Sequence, residues 1–115
     1  MNEIVIQGLA VHAHIGVPDE ERRQPQRLLI NAVLTPQVAF SDLNDDLSLT
    51  ADYHAAACRI SAVAADRPRR LIETLAADLA NMLLAEFPLA GVEIEIRKFI
   101  LPDTEYVAVR CHRLR

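Results

Sequence analysis

The chain has 115 residues, a net charge of −4 and 51% hydrophobic side chains, which allows one small domain with a single core. Tryptophan is absent and aromatics make up 4%, so that core is aliphatic, and so much aliphatic content in a short chain points to further apolar area buried between subunits. Basic and acidic residues are interspersed with no basic stripe, which argues against nucleic acid as a partner; with no apolar run of membrane-spanning length and no signal peptide, the expectation is a soluble cytoplasmic protein.

Residues 2–14 alternate, with Ile4, Ile6, Leu9 and Val11 among polar neighbours. The slip in that alternation at Gly8 predicts a bulge. Gly16, Pro18 and the charged run Asp19-Glu20-Glu21-Arg22-Arg23 read as a connection. Strand character returns over 27–38, where Leu28, Ile30, Ala32 and Leu34 share a face, and the two strands should pair antiparallel. Ser41 to Asp46 is rich in turn formers. Thr50 or Asp52 can then cap a helix over 53–65, which Arg67-Pro68 stops. A second helix is predicted over 70–86, with Leu71, Leu75, Leu79 and Met82 on one face and Pro88 and Gly91 ending it. Val92, Ile94 and Ile96 alternate with Glu93, Glu95 and Arg97 as a half-exposed strand. Pro102-Asp103 turns the chain into a last strand over 105–113.

The order β-β-α-α-β-β predicts an α+β domain, two helices covering one face of a four-stranded antiparallel sheet. The other face and the sheet edges find no cover in this chain. Exposed edges attract partners, so a ring built from several copies is expected.

Few residues carry chemistry. Lys98 is the only lysine among twelve basic residues. An ammonium can give up its proton where its surroundings help, and a guanidinium cannot, so this position asks for something arginine does not supply. Glu73 interrupts the apolar run Leu71-Ile72-Glu73-Thr74-Leu75. It is either a helix N-terminal charge favoured by the dipole or the floor of a pocket, able to grip two parallel N–H donors. Tyr53, at a helix entry, reads as packing, and Glu20 and Glu21, on a connection, as solvated charge. Arg67, Arg69 and Arg70 around Pro68 read as a solvated inter-helix turn or an anchor for an acidic ligand. His12 and His14 fall on one side of a strand with no third ligand at suitable spacing, so no metal site is expected. Cys58 and Cys111 have neither zinc nor redox spacing and read as reduced, mostly buried thiols.

Taken together these residues resemble the dihydroneopterin aldolase family of folate biosynthesis. The resemblance runs through Gly16-Val17, Asp19-Glu20-Glu21, Gln26, Asp45-Asp46-Leu47, Thr50-Ala51-Asp52-Tyr53, Leu71-Ile72-Glu73-Thr74-Leu75-Ala76, Lys98 and Tyr106-Val107-Ala108-Val109. It implies a tunnelling fold, assembled as homo-tetrameric rings or octamers with active sites at the subunit seams, needing neither a metal nor an organic cofactor. It implies that Glu73 grips the 2-amino and ring N–H edge of a pterin, with the backbone of Leu71 and Ile72 alongside. It also implies that Ala51, Asp52 and the Tyr53 phenol come from the adjacent subunit, and that Lys98 is the principal acid/base group with Glu21 close by. The implied reaction is retro-aldol cleavage of 7,8-dihydroneopterin to glycolaldehyde and 6-hydroxymethyl-7,8-dihydropterin.

Two departures keep other outcomes open. The segment Lys98-Phe99-Ile100-Leu101-Pro102-Asp103-Thr104 is shorter and more apolar than is usual in the family, as in its sister epimerases, and Ile15-Gly16 stands in place of a histidine-glycine pair. The alternatives are a dihydroneopterin or dihydroneopterin triphosphate 2′-epimerase, and a non-catalytic pterin-binding oligomer.

Overall fold

The computed structural model describes residues 2–115. In chain order the elements are β1 (Ile4–Ala13), a one-turn helix α1 (Asp19–Arg22), β2 (Gln26–Pro36), α2 (Tyr53–Ala65), α3 (Ile72–Glu86), β3 (Leu89–Lys98) and β4 (Val107–Leu114). The strands form one antiparallel sheet in the order β1-β2-β3-β4, and both helices lie on one of its faces. α2 packs on β1, and α3 on β3 and β4.

Alternation decides which side chains enter the core. Leu28, Ile30, Ala32 and Leu34 from β2 and Val92, Ile94 and Ile96 from β3 are buried under Ile60, Leu75, Leu79 and Leu83 of the helices. Gly8, at φ +71°, is the predicted bulge: the β1–β2 register shifts between Ile6 and Leu9. The extra residue restores the inward set, because Leu9 and Val11 then face Ile30 and Leu28. Asp52, not Thr50, caps α2, its Oδ1 accepting from the amides of His54 and Ala55 at 3.0 and 3.2 Å.

Several expectations need correction. The charged connection contains α1, which four residues without apolar periodicity could not announce. The 41–49 loop is tightened by 3-10 turns at Phe40–Asp42 and Leu47–Leu49. Gly91 does not end α3. It lies within β3, paired with Thr35 and Leu114, where a Cβ would stand 3.0 Å from Leu114 Cδ2. Cys58 is exposed and Cys111 half-buried. The buried stripe of α2 is Ala56, Ile60, Val63 and Ala64, and at about 100° per residue position 58 points away from it.

The inter-helix arginine turn is not wholly solvated either. Arg69 is 5% exposed. Its guanidinium reaches Asp78 at 2.8 Å, Asp66 at 3.0 Å and the carbonyls of Val63 and Arg67 at 3.2 Å, so a buried charge is partnered at all three of its nitrogens.

The uncovered sheet face is polar but not simply solvated. Glu95 there is 8% exposed. It accepts from Asn31 Nδ2 at 2.8 Å, Arg97 Nε at 2.6 Å and Arg110 Nε at 2.8 Å, while Asn31 Oδ1 accepts from the bulge amide of Gly8 at 2.6 Å. Burial pushes the Glu95 carboxyl up, but the hydrogen bonds from Arg110, Arg97 and Asn31 outweigh it and bring it down to about 2. Beyond the sheet, the Arg97 guanidinium lies 4.3 Å above the Tyr106 ring, and Tyr106 meets Phe99 edge-on. These contacts fasten the 99–106 segment, which forms part of the cleft between β3, α1 and α3.

Candidate active site

The backbone brings two distant stretches side by side. After β1, Ile15 forms a parallel bridge with Arg69. The Gly16 amide donates to the Arg69 carbonyl at 3.1 Å, and the Arg69 amide to the His14 carbonyl at 3.0 Å. Arg70, Leu71 and the first turn of α3 therefore stand against the Gly16–Arg22 turn. The end of β3 closes a third side, because Lys98 continues the inward row of Ile94 and Ile96 and opposes Val107 of β4.

Between these stretches lies an open cleft of about 380 Å³, a volume typical of small-molecule sites. Glu21, Leu71, Ile72, Glu73 and Lys98 all line it, joined by Val17, Arg70, Ile100 and Leu101. Five of the eight residues expected at the site are thus together. Ala51, Asp52 and Tyr53 are not among the lining residues. Ala51 is buried, Asp52 serves as the cap of α2, and Tyr53 is 63% exposed at the start of that helix, so the packing role read for its phenol is not met within the chain.

Lys98 is held rather than free. Its Nζ lies 2.7 Å from Glu21 Oε2, and its side chain is 13% exposed. Glu21, read as a solvated loop charge, is instead the anchor of this amine. The hydrogen bond from Lys98 draws the Glu21 carboxyl below its ordinary value. Burial opposes this, and a hydrogen bond from Gln26 assists it.

Glu73 resolves differently. It occupies the first turn of α3, where the dipole favours a negative charge, and it also lines the cleft. The residue thus combines a helix N-terminal position with a place on the cleft wall. Its carboxylate has no hydrogen-bonding partner among the described residues, and Leu71, the N-cap of α3, offers no side-chain cap. An acceptor with two oxygens thus lines the cleft at a helix end that no side chain caps.

Val17, Ile100 and Leu101 are cleft residues that the sequence did not mark as such. Of the three arginines read as a solvated turn or a ligand anchor, Arg70 lines the cleft while Arg69 has a structural duty. The two aliphatic wall residues Ile100 and Leu101 follow closely on Lys98, and that adjacency was the available signal. Among the described residues no cluster of three or more metal-ligating side chains occurs, and no helix is long and apolar enough to cross a membrane.

One cleft with an apolar wall thus gathers an unpartnered carboxylate, Glu73, and an ammonium held by a second carboxylate, Lys98 with Glu21. The chain belongs to the dihydroneopterin aldolase family, whose model matches residues 4–112. A dihydroneopterin aldolase of Streptomyces coelicolor is 32% identical over 104 residues, 90% of this chain and 87% of its own length. E. coli dihydroneopterin aldolase, solved in complex with neopterin, superposes with a TM-score of 0.90 at 25% identity, covering 98% of this chain and 99% of that one. The dihydroneopterin aldolase of Burkholderia thailendensis, bound to guanine, gives a TM-score of 0.82 at 25% identity over 99% and 91% of the two chains. The α+β architecture is thus the tunnelling fold expected from the sequence.

Proposed function

We propose that this protein is a dihydroneopterin aldolase, a carbon–carbon lyase cleaving 7,8-dihydroneopterin in folate biosynthesis. The observation that carries this reading is the convergence of Glu21, Leu71-Ile72-Glu73 and Lys98, from three separate stretches of a family member, on one cleft.

The chemistry assigns each group a task. Glu73 receives the 2-amino and ring N–H edge of the pterin, two donors meeting two oxygens. That orientation sends the trihydroxypropyl chain toward Lys98. A base takes the proton of the 2′ hydroxyl, and the C1′–C2′ bond breaks as the 2′ carbon becomes an aldehyde. The bond's electron pair moves into the C6=N5 imine, leaving a C1′=C6 double bond and a proton taken up at N5. Protonation of C1′ and loss of the N5 proton then restore the ring imine. The imine is an electron sink within the substrate, so no Schiff base with Lys98 is needed. Lys98 moves the protons, directly or through water, and the ion pair with Glu21 keeps its nitrogen at the cleft wall.

Tyr53 is exposed outside the cleft of its own chain. In this reading the phenol, with Ala51 and Asp52, reaches the cleft of a neighbouring subunit and assists proton transfer there. The free edges of β1 and β4 support assembly as a homo-tetrameric ring or a pair of stacked rings. The cytoplasm is the compartment this reading assigns, in keeping with two free thiols.

The short apolar segment after Lys98 favours one competitor, the 2′-epimerase, in which the cleaved fragments recombine with the opposite face. Incubating purified protein with 7,8-dihydroneopterin and resolving products by chromatography separates the two. Glycolaldehyde and 6-hydroxymethyl-7,8-dihydropterin should dominate. A predominance of the 2′ epimer assigns the epimerase, and the absence of both products at high enzyme concentration removes the enzymatic reading.

A further inference from the structure

Glu21 owes its position to residues that do not themselves face the substrate. The turn that carries it is pinned at both ends. Arg22 Nη1 donates to the carbonyls of Gly16 and Val17, each at 2.8 Å, and its other terminal nitrogen pairs with Asp19. His14 Nδ1 donates to the Arg22 carbonyl at 2.7 Å. Glu21 then folds back over Gly16. That glycine has φ +145°, a conformation L-residues rarely adopt, and a Cβ built on it would lie 2.6 Å from Glu21 Cγ and closer still to the carboxyl carbon and Oε1. The bare face of Gly16 is therefore the seat of one half of the Glu21 carboxylate. The other half is tied by Gln26, whose Nε2 donates to Glu21 Oε2 at 2.8 Å and to the Ile15 carbonyl at 2.6 Å. The oxygen that Gln26 holds is the one paired with Lys98 Nζ.

We propose that Gly16 and Gln26 are positioning residues for catalysis: Gly16 leaves the space that the Glu21 carboxylate occupies, and Gln26 fixes the oxygen that holds the Lys98 amine. This rests on the aldolase reading above and deepens it. Positions 16, 21 and 26 form one device, with the turn α1 setting the spacing. The charged groups facing Glu21 are Lys98 from β3 and, across the cleft, Arg70 and Glu73. Arg22 and Asp19 in its own turn are engaged with each other, and the His14 ring with the Arg22 carbonyl. Among the described residues no other amide side chain bonds Glu21, so Gln26 is the neutral group that secures its geometry. Removing this donor weakens the ionised form of Glu21 and loosens the amine without removing either charge.

Gln26→Met tests the idea because it keeps length and apolar fit while deleting the amide. In the wild-type background kcat should fall about 10- to 100-fold with KM changed less than about threefold, and the acid limb of the kcat–pH profile should move to higher pH. In the Glu21→Gln background the same substitution should change kcat less than about twofold, since its effect passes through Glu21. Gly16→Ala should lose activity in the wild-type background. Because that variant also strains the backbone, Gln26→Met is the deciding substitution. Additive losses in the two backgrounds, or an unmoved acid limb, would overturn the proposal. Carbon NMR titration of the Glu21 carboxyl supplies a readout independent of turnover, and its midpoint should rise in Gln26→Met. If wild-type protein cleaves no substrate, the aldolase reading fails while this titration still tests the positioning. If wild-type protein turns over and Gln26→Met leaves both profile and titration unchanged, the positioning alone fails.

Discussion

Lys98 lines the cleft of its own subunit, whereas Tyr53 is not among the lining residues and is exposed at the entry of α2. If each working site takes its amine from one chain and its phenol from the next, two inactive variants should repair each other. Lys98→Met and Tyr53→Phe should each fall to roughly 1% of wild-type turnover or lower, the scale of a lost proton-transfer group. Unfold them together in equal amounts, refold, and let subunits assemble at random. A site is intact when its amine-bearing chain is unmutated at 98 and its neighbour is unmutated at 53, each with even odds, so about a quarter of the sites should be whole. The mixture should then show about a quarter of the turnover of wild-type protein refolded alongside, many times that of either parent. Turnover should also follow the product of the two mixing fractions, peaking at equal amounts. A mixture no more active than the average of its parents, with assembly intact by light scattering, would refute the shared site and leave Tyr53 without a role in this chemistry.

Three further outcomes follow from the geometry. Glu73→Gln keeps shape but loses one acceptor and the charge, so KM for dihydroneopterin should rise about 10- to 100-fold with kcat little changed; an unaltered KM in steady-state assays counts against Glu73 as the pterin anchor. Glu95, held at about 2 against an ordinary 4.5, stabilises the folded state fully above the ordinary value and progressively less as pH falls toward about 2, a loss on the order of 2–3 kcal/mol. In urea unfolding at fixed protein concentration, the advantage of wild type over Glu95→Gln should therefore shrink between pH 5 and pH 3; a constant gap contradicts the assignment. Arg69→Met leaves Asp66 and Asp78 without their buried partner, and because both carboxylates keep some contact with water the cost should be about 2 kcal/mol, seen as a lower urea midpoint, with a change below about 0.5 kcal/mol refuting its role as the tie between the helices.

Much of the scaffold was readable because its periodicities are strong. Leu28 to Leu34 alternate cleanly, Leu75, Leu79 and Met82 are buried on one helix face as their spacing announced, although Leu71 of the same stripe is the exposed N-cap, and Gly8 breaks a period at the position where the register shifts. Much of what escaped notice has one physical cause: charge and polarity were taken for solvation. Arg69 and Glu95 are ionised, yet both are buried, because several partners from different elements meet each of them. Nothing in local sequence records a partner 64 positions away, as Asn31 is from Glu95. Glu21 looked like a loop charge for the same reason, since Lys98 is brought to it only by the sheet. Cys58 erred in the other direction, an apolar residue type on the outward side of a helix whose buried stripe is set by Ala56 and Ile60. Within the cleft, Lys98 and Glu73 stood out because each departs from its surroundings, one by being the sole lysine and the other by interrupting an aliphatic run. Gln26 departs from nothing, and only its hydrogen bonds distinguish it.

The bridge between Ile15 and Arg69 makes the cleft a cooperative part of the domain. Arg69 offers its peptide group to the strand side and its guanidinium to α2 and α3, so one wall cannot swing away without loosening the helical hairpin. Hydrogen exchange at the Gly16 amide should accordingly be as slow as at amides in the middle of α3, rather than fast like a surface turn. The cleft wall formed by the Gly16–Arg22 turn is thus tied to the helical hairpin through a single residue, Arg69.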